Sequence, residues 1–132
     1  MKLLLDTNAY VALRRGQDAV TDEVGRADQI LLSVIVAGEL LYGFRNGSRF
    51  EQNARSLRAF LEDPSVALLA ITMETADCFG RISAALRRRG TPIPTNDVWL
   101  AAQAIEAGAT LISSDHHFSQ VEGVVLLSFP AA

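Results

Sequence analysis

The sequence predicts an α/β fold in which a parallel β-sheet lies between two layers of helices. Short apolar runs typical of buried strands alternate with longer segments of helical periodicity, in the order β-α-α-β-α-α-β-α-α-β-β. Strands separated by helical crossovers run parallel, and the helices cover both faces of the sheet. The chain has 132 residues, 49% of them hydrophobic, which is the size of one domain. We therefore expect a three-layer α/β/α sandwich with a central parallel sheet of four to five strands, formed by a single domain over residues 1–132.

The first predicted strand is the leucine run Leu3–Leu5, which is typical of a strand buried on both faces. It ends at Asp6. Asp6, Thr7 and Asn8 are all favourable N-caps for the helix predicted over residues 9–13. Taken alone, Asp6 is as readily a helix cap as a functional residue. Its predicted place, at the carboxyl end of a central strand, is where open α/β sheets bind ligands.

The same signals place the remaining elements. The other predicted elements are helices over residues 18–27, 34–45, 49–62, 72–89 and 95–107 and strands over residues 29–32, 66–71, 110–113 and 124–127. Ser33 is expected to cap the helix that carries Glu39, and Thr72 the long helix that follows the third buried strand. Glu39 either faces solvent or points along the sheet edge toward Asp6.

The last two long helical and strand segments add two more acids. Thr95 or Asn96 is expected to cap the helix that ends at Gly108, which places Asp97 in the first turn. Asp115 follows the fourth strand as Asp6 follows the first. If those two strands are neighbours, four acids converge on one crevice: Asp6, Glu39, Asp97 and Asp115.

Converging carboxylates repel one another and raise one another's pKa unless they share a cation. A hard divalent ion such as Mg²⁺ prefers oxygen ligands, and Mn²⁺ accepts the same site. Such an ion can activate a water for attack on a phosphodiester. The sequence therefore favours metal-dependent hydrolysis of a phosphate ester over chemistry that needs a lysine, cysteine or histidine.

Composition excludes several alternatives. The one lysine, Lys2, precedes the first strand, so the chain lacks the lysine that P-loop proteins, haloacid-dehalogenase-type phosphatases and receiver domains place near phosphate. The one cysteine, Cys78, permits no internal disulfide and is expected to be a packed thiol. His116 and His117 are interpreted as loop residues. No apolar run approaches the roughly 18 residues of a membrane span, so we expect a soluble, cytoplasmic protein with no membrane partner.

Net charge gives weak guidance about nucleic acid. The chain carries 15 acidic and 12 basic residues, a net charge of −3, which argues against a nucleic-acid partner. However, 11 of the 12 basic residues are arginines, whose planar guanidinium suits phosphate. Six arginines are predicted on helices or loops that could rim the crevice: Arg14, Arg15, Arg45, Arg49, Arg55 and Arg58. Ordinary surface charge explains them equally well.

Four segments together carry a family resemblance. LLLDTN (residues 3–8), VAGEL (36–40), PTNDVWLAAQAIEAGATLISSD (94–115) and HF (117–118) resemble the PIN domain, and specifically the VapC toxin family of type II toxin-antitoxin systems. The resemblance spans nearly the whole chain in the right order and spacing. It implies a PIN-like sandwich and a single PIN domain over residues 1–132.

The resemblance also implies an activity. It implies a Mg²⁺-dependent endoribonuclease, with Mn²⁺ as a substitute, acting on tRNA or ribosomal RNA. The family's catalytic and metal-binding quartet falls on Asp6, Glu39, Asp97 and Asp115, with Thr7, Asn8 and Ser113 in support. Residue 113 is serine where threonine is frequent. Open alternatives are an inactive PIN-like module that binds RNA or protein, and another phosphohydrolase or a DNA nuclease on the same scaffold.

The implied partners are a VapB-type antitoxin, the RNA substrate and a second copy of the chain, with a larger toxin-antitoxin assembly on operator DNA as a further expectation. The apolar stripes of the helices after Ser33 and Ser48 exceed what one small core needs. We expect these stripes to bind the antitoxin and a second copy.

Overall fold

The computed structural model describes residues 1–131. The five strands are β1 Lys2–Leu5, β2 Gln29–Ser33, β3 Val66–Leu69, β4 Thr110–Ser113 and β5 Val125–Ser128. The six α-helices are α1 Thr7–Arg14, α2 Asp18–Arg26, α3 Val34–Arg45, α4 Phe50–Glu62, α5 Met73–Arg89 and α6 Thr95–Ala107. A short 3₁₀ helix, His116–Gln120, joins β4 to β5. The predicted order of strands and helices is confirmed.

All five strands pair in parallel, in the order β3-β2-β1-β4-β5. The central strand β1 places Leu4 opposite Leu31 of β2 on one side and Leu111 of β4 on the other. Connections from β1 run toward β3, whereas β4 and β5 lie on the other side of β1. The sheet therefore has its topological switch point between β1 and β4, as the sequence required for the four acids to meet.

Helices cover both faces of this sheet. Because parallel crossovers are right-handed, reversing the direction of strand addition after β3 moves the connecting helices to the opposite face. The helix contacts agree: α1 packs on α2 and α3, α3 packs on α4, and α5 packs along α6. The predicted three-layer α/β/α sandwich is confirmed.

The core is densest at the two strands that flank the switch point. Leu3, Leu4, Leu5, Leu111 and Ile112 are fully buried. Burial on both faces explains why these strands are continuous apolar runs rather than alternating patterns. The carboxyl ends of β1 and β4 are consequently held in a fixed relation to each other.

The third strand differs from the prediction. It ends at Leu69 rather than Ile71, and it is an edge strand instead of a buried one, with Leu68 49% exposed. An apolar run indicates a strand but not its position in the sheet, so the expectation of burial was wrong.

Two helix details also differ from the prediction. Pro94 rather than Thr95 or Asn96 is the N-cap of α6, because its extended backbone leads directly into a helix whose first residue is Thr95. On α5 the buried face consists of Thr75, Cys78, Ile82 and Leu86. Ala76, Phe79 and Ser83, expected there, are half-buried, and Phe79 stacks on Trp99 of α6 with ring centroids 4.0 Å apart. The predicted cap at Thr72, stop at Gly108 and packed Cys78 are confirmed.

Within residues 1–131, none of the helices combines the length and the apolar character that crossing a membrane requires.

Candidate active site

Asp6 is fixed at the carboxyl end of β1 by two hydrogen bonds to its side chain. Oδ1 accepts from the backbone N–H of Ala9 at 2.7 Å, which makes Asp6 the N-cap of α1. Oδ2 accepts from the hydroxyl of Ser113, the last residue of β4. Asp6 is therefore both a helix cap and a member of the site, so the two interpretations of this residue do not exclude each other.

Ser113 links the first acid to the fourth. Its side chain is 1% exposed, and its Oγ also accepts from the backbone N–H of Asp115 at 2.9 Å. The hydroxyl thus donates to one carboxylate and orients the turn that carries another. A threonine hydroxyl could make the same two bonds, so the serine at this position keeps the predicted supporting role.

Glu39 points toward Asp6 and not into open solvent, although it is exposed. Its Oε1 accepts from the Thr7 hydroxyl at 2.7 Å, and its Oε2 accepts from the Asn96 side-chain amide at 3.4 Å. Asn96 precedes Asp97 in the first turn of α6. The two bonds join α1, α3 and α6 at the cleft.

His117 joins Asp97 and Asp115. Its Nδ1 lies 3.1 Å from Asp97 Oδ2 and 3.0 Å from Asp115 Oδ1. Asp115 Oδ1 also accepts from the His117 backbone N–H at 2.9 Å. The interpretation of His117 as a plain loop residue was wrong. It was missed because the chain approaches Asp97 only through the 3₁₀ helix after β4, and the one available signal was the position of His117 two residues beyond an acid at a strand end.

These side chains surround one cleft of about 240 Å³. Its lining residues are Asp6, Thr7, Asn8, Glu39, Asn96, Asp97, Leu100 and Asp115. All four predicted acids and both residues beside the first acid are therefore brought together, with Ser113 directly behind Asp6. Asn96 and His117 are the polar members that the sequence did not indicate as site residues.

The cluster holds its acids in a partly protonated state. Burial raises the pKa of Asp6 from 3.8 to about 6, opposed by the bonds from Ser113 and Ala9 and reinforced by the charges of Asp97 and Asp115. The pKa of Asp97 is also raised, first by burial and then by the charges of Asp115 and Glu39, while His117 lowers it. Carboxylates that resist ionisation in this way are stabilised by a bound cation.

The donor set fits a divalent metal ion. One ligand atom from each of Asp97, Asp115 and His117 can be chosen so that all three lie within 4.8 Å of one another. Asp6 and Glu39 line the same cleft and add further oxygen donors. Carboxylate oxygens suit Mg²⁺ and Mn²⁺, and an imidazole nitrogen is more favourable for Mn²⁺ than for Mg²⁺.

Comparison with known proteins assigns the family. The family model of the PIN domain matches residues 3–124. The chain belongs to the PIN-domain family. Within it, the chain is similar to VapC proteins: it is 32% identical over 117 residues to ribonuclease VapC2 of Haemophilus influenzae, covering 87% of each chain. It is 28% identical over 131 residues to ribonuclease VapC2 of Rickettsia felis, covering 96% of each.

Solved structures of VapC proteins have the same fold. A crystal structure of VapBC2 from Rickettsia felis, bound to a DNA fragment from its promoter, contains a chain that superimposes with a TM-score of 0.86 at 26% identity. The match covers 98% of this PIN-domain chain and 99% of the other. The resemblance inferred from the four sequence segments is confirmed.

Proposed function

We propose that this protein is a metal-dependent endoribonuclease, the toxin of a type II toxin-antitoxin pair. The observation that carries the proposal is the convergence of four carboxylates from four separate segments on one cleft at the switch point of the sheet. The names of its VapC relatives, which are ribonucleases, support the same reaction. Transfer RNA and ribosomal RNA are the substrates we would test first.

Asp6, Asp97 and Asp115 would hold the ion directly, and Glu39 would complete the site directly or through water. When bound, Mg²⁺ or Mn²⁺ supplies an activated water and neutralises charge on the phosphodiester. Ser113 and the α1 backbone keep the Asp6 carboxylate in one orientation. Thr7 and Asn96 do the same for Glu39, so these residues position oxygen ligands rather than react themselves.

His117 is added to the proposed site as a positioning residue or a nitrogen ligand. It contacts two of the acids at about hydrogen-bond distance, and both contacts depend on the backbone N–H bond that fixes the 3₁₀ helix. Either role makes the geometry of Asp97 and Asp115 depend on the imidazole.

The partners follow from relatives of known composition. Solved structures similar to this chain are complexes of a VapC toxin with its VapB antitoxin, one of them bound to promoter DNA. We propose a VapB-type antitoxin as the partner of this chain, a larger toxin-antitoxin assembly on operator DNA, and a homodimer of the toxin. A single PIN domain over the whole chain and a cytoplasmic location stay predictions.

The alternative, an inactive PIN-like module that only binds RNA or protein, is less well supported. A module that has lost catalysis is expected to have lost at least one acid, whereas Asp6, Glu39, Asp97 and Asp115 are all present and all line the cleft.

Cleavage of end-labelled total tRNA and ribosomal RNA by the purified, antitoxin-free protein tests the proposal. We expect discrete fragments with Mg²⁺ or Mn²⁺, none with EDTA, and a loss of at least a hundredfold in Asp6→Asn, since the reaction needs the bound ion. Asp22→Asn, which removes an exposed acid on α2, is the matched control and should cut normally. Cleavage that persists in EDTA or in Asp6→Asn would contradict the proposal.

A further inference from the structure

A second cleft of about 190 Å³ adjoins the acidic cleft. It is lined by Asn8, Val11, Ala12, Arg15, Gln17, Ser114, Phe129 and Ala131. Asn8 lines both clefts, and Ser114 directly precedes Asp115 in the turn after β4. The two clefts are therefore neighbouring parts of one groove that runs past the carboxyl ends of β1 and β4.

The walls of this second cleft are fixed by tertiary hydrogen bonds. The Gln17 side-chain amide donates to the Pro130 carbonyl at 2.9 Å, which holds the C-terminal segment against the turn after α1. The backbone N–H of Phe129 donates to the Ser113 carbonyl at 3.3 Å, and the Phe129 ring is buried. The cleft is consequently a built feature of the fold rather than a gap between side chains of one exposed helix.

The charge in this cleft is opposite to that of its neighbour. Arg15, at the C-terminal end of α1, contributes a guanidinium, and Asn8 and Ser114 contribute neutral polar groups. A guanidinium binds phosphate through two parallel N–H donors. Of the other arginines predicted to rim the crevice, Arg45 lies over the Phe50 ring, 4.1 Å from its centroid. Arg15 is thus the arginine that the fold places beside the acids.

We propose that this cleft is the subsite for the nucleotide adjacent to the scissile phosphodiester, with Arg15 binding the phosphate of that nucleotide. The proposal rests on the proposed ribonuclease function. The groove would hold two consecutive phosphates, one at the acids through the metal ion and the next at Arg15. Arg15 would then set how RNA is bound without taking part in the chemical step.

Steady-state cleavage of an RNA that the wild type cuts tests this division of roles. Losing a hydrogen-bonded charge at the phosphate should raise KM of Arg15→Gln roughly tenfold with kcat nearly unchanged, because the contact is the same in the ground and transition states. Arg15→Lys, which keeps the charge, should recover part of the loss. Arg14→Gln, which removes the neighbouring exposed arginine on α1, is the matched control and should behave as wild type.

The salt dependence of binding gives a second readout that a structural role would not change. A random-sequence single-stranded RNA 20-mer is titrated against Asp6→Asn protein, which holds RNA uncut, over a range of KCl with Mg²⁺ present. Removing one phosphate contact should make the slope of log K against log salt shallower by about 0.7 in the Asp6→Asn/Arg15→Gln double variant and leave it unchanged in Asp6→Asn/Arg14→Gln. Thermal melting of each variant checks that the fold is kept.

Failure of this inference is distinguishable from failure of the function. If the wild type cuts RNA while Arg15→Gln and Arg14→Gln have equal KM and equal salt slopes, the subsite is refuted and the nuclease stands. If Arg15→Gln lowers kcat instead of raising KM, the role assigned to Arg15 is wrong. If the wild type neither cuts nor binds RNA, both proposals fail. Should Arg15→Gln not fold, Val11→Phe, which fills the same cleft from its apolar side, must raise KM or the subsite is refuted.

Discussion

Asp6 is the most buried of the four acids, at 7% exposure, and burial is the main reason that its pKa is raised to about 6. A carboxyl whose pKa is higher in the folded chain than in the unfolded chain stabilises the fold while it is protonated. That stability is present below the ordinary value of 3.8 and is lost as pH rises through about 6. At neutral pH without metal, the ionised Asp6 is therefore a cost to the fold.

We predict that Asp6→Asn relieves this cost. In EDTA, the free energy of unfolding of the variant minus that of the wild type should grow by up to about 3 kcal/mol as pH rises across this window, because the amide cannot ionise. Urea unfolding at a series of pH values measures it. A difference that does not change with pH would mean that Asp6 ionises as easily in the folded chain as in the unfolded one.

His117 provides a second prediction at the level of single residues. His117→Ala should weaken Mn²⁺ binding at least about tenfold, since the imidazole either ligates the ion or holds Asp97 and Asp115 in place. Calorimetric titration with Mn²⁺ measures the change. His116→Ala removes the adjacent exposed imidazole and is the control. Equal affinities in the two variants would remove His117 from the metal site.

The sequence indicates the acids of the site better than the groups between them. Asp6 and Asp115 each follow an apolar run, and Asp97 lies in a first turn, so strand ends and helix starts predict where they meet. The bond from Ser113 to Asp6 joins residues on two strands that are far apart in the chain, and the contacts of His117 depend on the path of a 3₁₀ helix. Such contacts follow from tertiary geometry, which a local pattern does not contain.

Helix α3 keeps an exposed apolar face, whereas α4 does not. On α4 the stripe is largely used by the core, with Ala54 and Leu57 buried. On α3, Leu41 is 36% and Tyr42 70% exposed. The expected surplus of apolar surface is therefore restricted to α3, because the periodicity of a helix gives its apolar face but not what covers it.

Tyr42 is the residue of that face most suited to anchor a partner. It lines an open groove of about 540 Å³ with Val34, Ile35 and Gly38, and Glu39 lies on the same groove and on the acidic cleft. We predict that Tyr42→Ser weakens binding of the antitoxin by about 2 kcal/mol or more, roughly thirtyfold, as expected for a central aromatic anchor. Calorimetry with the purified antitoxin measures it.

Gln52→Ala, at an exposed position on α4, is the control for Tyr42→Ser and should bind as wild type. An affinity of Tyr42→Ser equal to that of Gln52→Ala would place the antitoxin on another surface. Light scattering of the wild type separately tests the homodimer, which requires a mass above that of one chain at tens of micromolar.

For the whole molecule, the order of elements could be predicted and the order of strands could not. Alternating strand and helix patterns give a parallel sheet, and right-handed crossovers limit its topology. That β1 lies between β2 and β4 was a condition of the argument, not its result, and β3 was expected to be buried although it lies at an edge. Strand position depends on packing between segments distant in sequence, such as the contact of Leu4 with Leu111.

Net charge illustrates the same limit. A charge of −3 argues against RNA as a partner, yet at least four of the 15 acids are gathered in one cleft where a cation would offset them. The distribution of charge, with the acids beside Arg15, is informative where its sum is not.

Thermal unfolding of the wild type and Asp97→Asn, with and without Mn²⁺ and without RNA, tests most directly whether the acidic cluster is a metal site. We predict that Mn²⁺ raises the melting temperature of the wild type, because an ion bound only to the folded state stabilises it. Asp97→Asn should keep or raise the stability of the metal-free protein, since it removes a half-buried carboxylate whose pKa is raised, and should show no rise with Mn²⁺. A melting temperature of Asp97→Asn that rises with Mn²⁺ as much as that of the wild type would contradict the assignment.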